Sequence, residues 1–150
     1  MKKNDTERLM EDIKQCTDIK QSVEKNQKYF FDEKVFSNYL EKLLKKYGKK
    51  MQDLISETDY SKPMLYHIKR NERTGSQRSI LQIGLAIGVN VDEMQQLLKL
   101  SHNQELYPRY QRDYIILCGI NTGLNLYQID EELKKRGIED VLEKVQQKEE

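Results

Sequence analysis

Residues 50–70 read Lys50-Met51-Gln52-Asp53-Leu54-Ile55-Ser56-Glu57-Thr58-Asp59-Tyr60-Ser61-Lys62-Pro63-Met64-Leu65-Tyr66-His67-Ile68-Lys69-Arg70, and the spacing of their apolar side chains decides the fold. Met51, Leu54 and Ile55 fall at i, i+3 and i+4, which predicts a short helix from about Lys50 to Glu57 with one apolar side. Thr58-Asp59-Tyr60 interrupts the pattern. Ser61 then offers a side-chain oxygen to the unpaired N–H groups of a second helix reaching about Arg70. Pro63 fits its first turn, where backbone donors have no intrahelical acceptor. Met64, Leu65 and Ile68 are predicted to point inward, whereas Lys62, Pro63, Tyr66, His67 and Arg70 share the opposite face.

Outward from this pair the chain is helical throughout. Phe36, Tyr39, Leu40, Leu43, Leu44 and Tyr47 define a one-sided helix that Gly48 closes, with Lys45 and Lys46 in its last turn. Ser76 is positioned to cap a helix whose Ile80, Leu81, Ile83, Leu85, Ala86 and Ile87 are apolar on nearly every side, the mark of a central helix. Gly88 ends it. Asn90 and Glu93 form a capping box for the next helix, with Val91, Met94, Leu97 and Leu98 inward. Five short helices therefore fall between residues 34 and 100.

A repeat follows at an offset of 35 residues: Gly84, Gly88, Asn90, Val91, Met94 and Leu98 correspond to Gly119, Gly123, Asn125, Leu126, Ile129 and Leu133. It predicts a second helical hairpin over residues 108–136, with a buried helix at Tyr114–Thr122 and a capped amphipathic helix to about Arg136. Before the core, Leu9, Ile13, Cys16, Val23 and Phe30 lie on a thin 4-3 seam, read as one polar helix over residues 6–31. The expected class is all-α. The expected organisation is an N-terminal helix in 1–33, a core in 34–100, and a hairpin with a charged tail in 101–150.

Seven glycines and two prolines in 150 residues suit long helices better than many turns. Cys16 and Cys118 stand at neither disulfide nor metal spacing and read as small buried hydrophobes in a reducing compartment. The longest apolar stretch, Tyr114–Ile120, is far too short for a membrane span, and the N-terminus has no apolar signal core. The expected location is cytoplasmic. His67 and His102 lack companions at ligand spacing, so no metal or cofactor is expected. No triad context accompanies a Ser, Cys or His, and Gly84-x3-Gly88 lacks a strand and phosphate loop; the chain reads as a non-enzyme with no evident small-molecule ligand.

The net charge of +1 hides a strong asymmetry. Residues 42–80 carry 10 basic and 4 acidic side chains, a local +6, flanked by segments of net −1 on both sides and −3 at the end. A basic segment coinciding with a helix, a tight turn and a carboxylate-free second helix is the arrangement that reads duplex DNA. Residues 36–100 resemble the lambda-repressor-like helix-turn-helix domain of the xenobiotic response element (XRE) family. The resemblance rests on Tyr60–Ile68, on Lys69-Arg70-Asn71-Glu72-Arg73 with Ser76, and on Ile83–Met94. It implies a bacterial or phage-type transcriptional regulator whose recognition helix, about 61–70, lies in the major groove. Lys50 and Ser61 are then aimed at phosphates, and Lys62, Tyr66 and His67 at base edges. Pro63, Arg70 and Arg73 complete the candidate set. Lys42, Lys45 and Lys46 read instead as a solvated face.

The sequence departs from the family pattern at three places. Asp59 stands where the turn usually has Gly, Ile55 where a small Ala lets two helices approach, and Lys69-Arg70-Asn71 replaces Glu-x-Gly. These departures support a second reading, a helical adaptor that keeps the fold and binds a protein. Recognition of two half-sites makes a homodimer the expected assembly, with the 6–31 helix and the C-terminal hairpin as candidate surfaces. Tyr107, Arg109 and Arg112 are expected to fix the corner between the hairpins, with Arg112 near Asp113 or Glu105.

Overall fold

The computed structural model describes residues 4–30, 34–70 and 75–138, and all its regular elements are helical. Among these residues no helix is long and apolar enough to cross a membrane. The chain divides into two compact units, residues 1–32 and 33–150.

In the first unit the predicted single helix over 6–31 is replaced by α1 (Asp5–Lys14), α2 (Ile19–Lys25) and a 3-10 turn at Gln27–Tyr29. The cause is local. Asp18 is extended (φ −140°, ψ 109°), and its carboxylate accepts the Gln21 N–H at 3.3 Å, so it caps α2 instead of continuing α1. Breaking the helix also breaks the seam: Ile13 is 62% exposed, and Cys16 lies in the break, exposed rather than buried.

The second unit starts with α3 (Val35–Lys46), which buries Phe36, Leu40, Leu43 and Leu44. Gly48 takes φ +65°, which lets the Lys49 N–H reach back to the Leu44 carbonyl at 2.9 Å and close the helix. Two short helices follow, α4 (Met51–Glu57) and α5 (Lys62–Arg70). α6 (Gln77–Ile87) runs through the middle of the unit, with Ser79 to Gly84, Ala86 and Ile87 all buried, as its all-round apolar pattern requires. α7 (Val91–Leu100), α8 (Gln111–Asn121) and α9 (Leu126–Lys135) complete the unit, and one apolar core runs from Phe36 to Leu133.

The 35-residue repeat is a repeat of geometry. Gly88 and Gly123 both take positive φ, +90° and +79°, at the ends of α6 and α8. Asn90 and Asn125 both form reciprocal capping boxes, with Glu93 and Gln128. A Cβ on Gly84 would sit 2.4 Å from Met94 Cε, and one on Gly119 would sit 2.5 Å from Ile129 Cγ1. Each glycine thus lets the second helix of its hairpin lie against the backbone of the first. The correspondence extends to the exits. His102 (φ +62°) matches Gly137 (φ +71°), and the bond from Asn103 N–H to Leu98 O at 2.8 Å matches that from Ile138 N–H to Leu133 O at 3.1 Å.

Residues 101–110 join the hairpins. Gln95 holds the backbone of the buried Leu106 from both sides, donating to its carbonyl at 2.7 Å and accepting its N–H at 2.8 Å. Arg112 pairs with Asp113 at 2.9 Å, while Asp113 also accepts the Tyr107 N–H at 2.8 Å, which fixes the corner where the sequence expected it. The predicted burial of the Tyr114–Thr122 helix holds for one side. Its outward side leaves Tyr114 and Cys118 exposed, because no described element packs there.

Candidate nucleic-acid interface

The turn between α4 and α5 is held by side chains that its own sequence supplies. Thr58 Oγ1 donates to the Leu54 carbonyl at 2.8 Å and accepts the Tyr60 N–H at 3.3 Å. Ser61 Oγ accepts the Met64 N–H at 3.4 Å, leaving its own hydroxyl proton to donate outward. Asp59, at the position where glycine was expected, is not in the left-handed region, so the turn has no need of one. Instead the Asp59 N–H donates to Gln82 Oε1 at 2.9 Å, and Gln82 Nε2 donates to Asp59 Oδ2 at 3.1 Å. Gln82 belongs to α6 and is fully buried. Ile55, in place of a smaller residue, is half-buried at the edge of the core.

Leu65 and Ile68 anchor α5 inward, and Ser61, Lys62, Pro63, His67 and Arg70 are exposed. Two orientations differ from expectation. Met64 points outward and is 46% exposed, because it lies 100° around the helix from Leu65, on a flank where the core has already ended. Tyr66 is half-buried and packs against the core instead of standing fully on the outer face. Arg73 falls outside the described residues.

Lys50 precedes α4 and is exposed, but its backbone N–H donates to Asp53 Oδ2 at 2.8 Å, so an approaching phosphate would also meet that carboxylate. Lys69 is turned aside to Glu41 of α3 at 2.5 Å; the hydrogen bond from Lys69 and its charge hold the Glu41 carboxyl below its usual range. Lys46 pairs with Glu93 at 2.5 Å. Both carboxylates come from outside residues 42–80, so the local +6 becomes +4 once these two partners are counted. What remains on the outer face of α5 is Lys62, His67 and Arg70, with Met64 beside them and no carboxylate in the helix itself.

Behind this surface, Glu93 ties the end of α3 to the start of α7. Burial raises its carboxyl, but hydrogen bonds from Lys46, Tyr47 and the Asn90 N–H together outweigh burial and hold it below the usual 4.5. Tyr60, which precedes α5, is raised by burial, partly offset by a hydrogen bond with Ser76 at the cap of α6. The residue that the sequence pattern passes over is Gln82. Its signal was present: one amide in the run Ile80-Leu81-Gln82-Ile83 must find a partner once buried. No protein-family model, curated protein or solved structure matches the chain.

Proposed function

We propose that the chain is a sequence-specific DNA-binding regulator of the XRE type, in which α3 to α7 form a lambda-repressor-like core and α5 enters the major groove. The observation that carries this reading is the outer face of α5: Lys62, His67 and Arg70 exposed on a carboxylate-free helix, behind a tight turn pinned to the central helix through Gln82. Lys62 and His67 have donors for base edges, Arg70 and the Ser61 hydroxyl for phosphates. Tyr66 contributes at the rim of the contact, and Lys50 contributes charge tempered by Asp53.

Selection from random duplexes followed by a salt series tests the reading. Affinity should fall steeply with salt, with a log–log slope of about −0.9 per neutralised phosphate. His67→Ala or Lys62→Ala should cost roughly 1–3 kcal/mol on the selected site and relax its base preference. Arg70→Ala should weaken all duplexes alike and reduce the slope by about one. The adaptor reading is favoured by exposed Met64, an apolar side chain beside the basic ones. No enriched site, with feeble binding even at low salt, would select it.

A further inference from the structure

Within helix α8 the run Tyr114–Ile120 is apolar on every side, a pattern that belongs to a helix segment covered all round. The repeat shows which side lacks its cover. Ser79, Ile80, Gln82 and Ile83 of α6 are at most 2% exposed, and α4 is among the helices that pack against α6. Their counterparts 35 residues on are Tyr114, 57% exposed, Ile115 and Leu117, half-buried, and Cys118, exposed. Tyr110, one turn before Tyr114, extends the face and packs edge-on against exposed Tyr107 at 5.6 Å between ring centres. The face bears no charge. Arg112 and Asp113, the charged residues of α8, pair with each other, and Asp113 is turned inward.

We propose that Tyr110, Tyr114, Ile115, Leu117 and Cys118 form a self-association surface on which α8 of a second copy of the chain packs about a two-fold axis. A two-fold axis sets a patch against its own image, so any charge on it would meet the same charge. Here there is none to repel. An acidic or basic partner, by contrast, would find nothing to pair with. Tyrosine-rich and charge-depleted is also the composition of interface cores. One 11-residue helix covers about half of the roughly 800 Å² per partner that a stable interface buries, so the association is weak in isolation. On a duplex with two half-sites it would be reinforced by effective concentration, and that last step alone rests on the DNA-binding reading.

Sedimentation equilibrium of the full chain without DNA, across the micromolar range, tests the surface. Wild type should show a concentration-dependent monomer–dimer equilibrium. Tyr114→Lys and Tyr114→Glu, both at an exposed position and checked for unchanged melting, should each weaken it by about tenfold or more. An equimolar mixture of the two should associate again, because Lys then faces Glu across the axis. A strictly monomeric wild type overturns the proposal, as does a mixture no tighter than its components. Because no DNA is present, failure of the DNA-binding reading leaves a positive result standing. A monomer that selects a single half-site leaves that reading standing in turn.

Discussion

Alanine at the two equivalent glycines, Gly84 and Gly119, should have unequal consequences. At Gly119 the new Cβ meets Ile129 Cγ1 at 2.5 Å and Cδ1 at 2.8 Å; at Gly84 it meets Met94 Cε at 2.4 Å and Sδ at 2.6 Å. The distances are alike, but the obstacles differ. Met94 is struck at the far end of a side chain with three rotatable bonds, which can swing away. Ile129 is struck at an atom bonded directly to a branched Cβ, which moves only by a χ1 jump or a helix shift. Overpacking costs about 1–3 kcal/mol, and glycine to alanine within a helix returns about 1 kcal/mol. Gly84→Ala should therefore be near neutral. Gly119→Ala should lose about 2 kcal/mol, a fall in Tm of roughly 8 °C for a unit of this size. Ile129→Ala removes both clashing atoms and leaves its Cβ at an ordinary 3.7 Å. The double variant Gly119→Ala/Ile129→Ala should thus be more stable than the sum of the single losses by about 3 kcal/mol in a denaturant cycle, the whole overpacking cost, because the helix gain of alanine stays in both backgrounds. Equal damage at the two glycines, or strict additivity in the cycle, would refute the reasoning.

Gln82→Leu keeps the volume of the side chain but removes the partner of the Asp59 N–H, and should cost about 1–3 kcal/mol with faster amide exchange at Asp59. Unchanged exchange there would deny that Gln82 holds the turn. The carboxyl of Glu93 lies below its usual 4.5 in the folded chain, so its contribution to stability is present above that value and lost as pH falls through the lowered one. Wild type should accordingly lose its stability advantage over Glu93→Gln in acid, and a constant difference from neutral pH to pH 3 would count against the sign. Truncation after Ser101 strips Leu106, Ile116, Ile120, Leu126, Ile129 and Leu133 from the core and should give an aggregating or low-melting fragment. A soluble fragment with wild-type Tm would contradict the single core.

Features set by a few adjacent residues were legible in the sequence. The glycine stops at Gly48, Gly88 and Gly123 and the asparagine caps at Asn90 and Asn125 appear where their residue types require them. The repeat marks Gly84 and Gly119 as equivalent in the sequence, but that each one admits a side chain of the next helix, Met94 or Ile129, depends on the packing. Local competition was harder to read: Asp18 at a heptad-neutral position overrides the seam by capping a new helix. What depends on distant partners was not legible. Lys69 and Lys46 counted as free positive charge until Glu41 and Glu93 came to lie beside them, and Gln82 gained its meaning from Asp59, 23 residues earlier. Cys118 looked buried because its neighbours Ile116 and Ile120 are; a helix with apolar residues on every side does not say which side will be covered.

The face of α5 and the means of holding it are separate sets of residues. Its start is held through Asp59 and Gln82, its middle through Leu65 and Ile68, and its flank through the Lys69–Glu41 pair. Just past its end, Gly75 brings the chain so near that a Cβ would meet Ile80 Cδ1 at 2.8 Å and Ile68 Cγ2 at 3.1 Å, and the Gly75 carbonyl accepts from Asn103 at 2.9 Å. Of these anchors, the apolar ones and Gln82 lie in the core that the C-terminal hairpin completes. Lys62 and Arg70 contribute to none of them, so their replacement should change stability by no more than about 0.5 kcal/mol. The surface can therefore be rewritten residue by residue while the backbone that presents it stays where the core sets it.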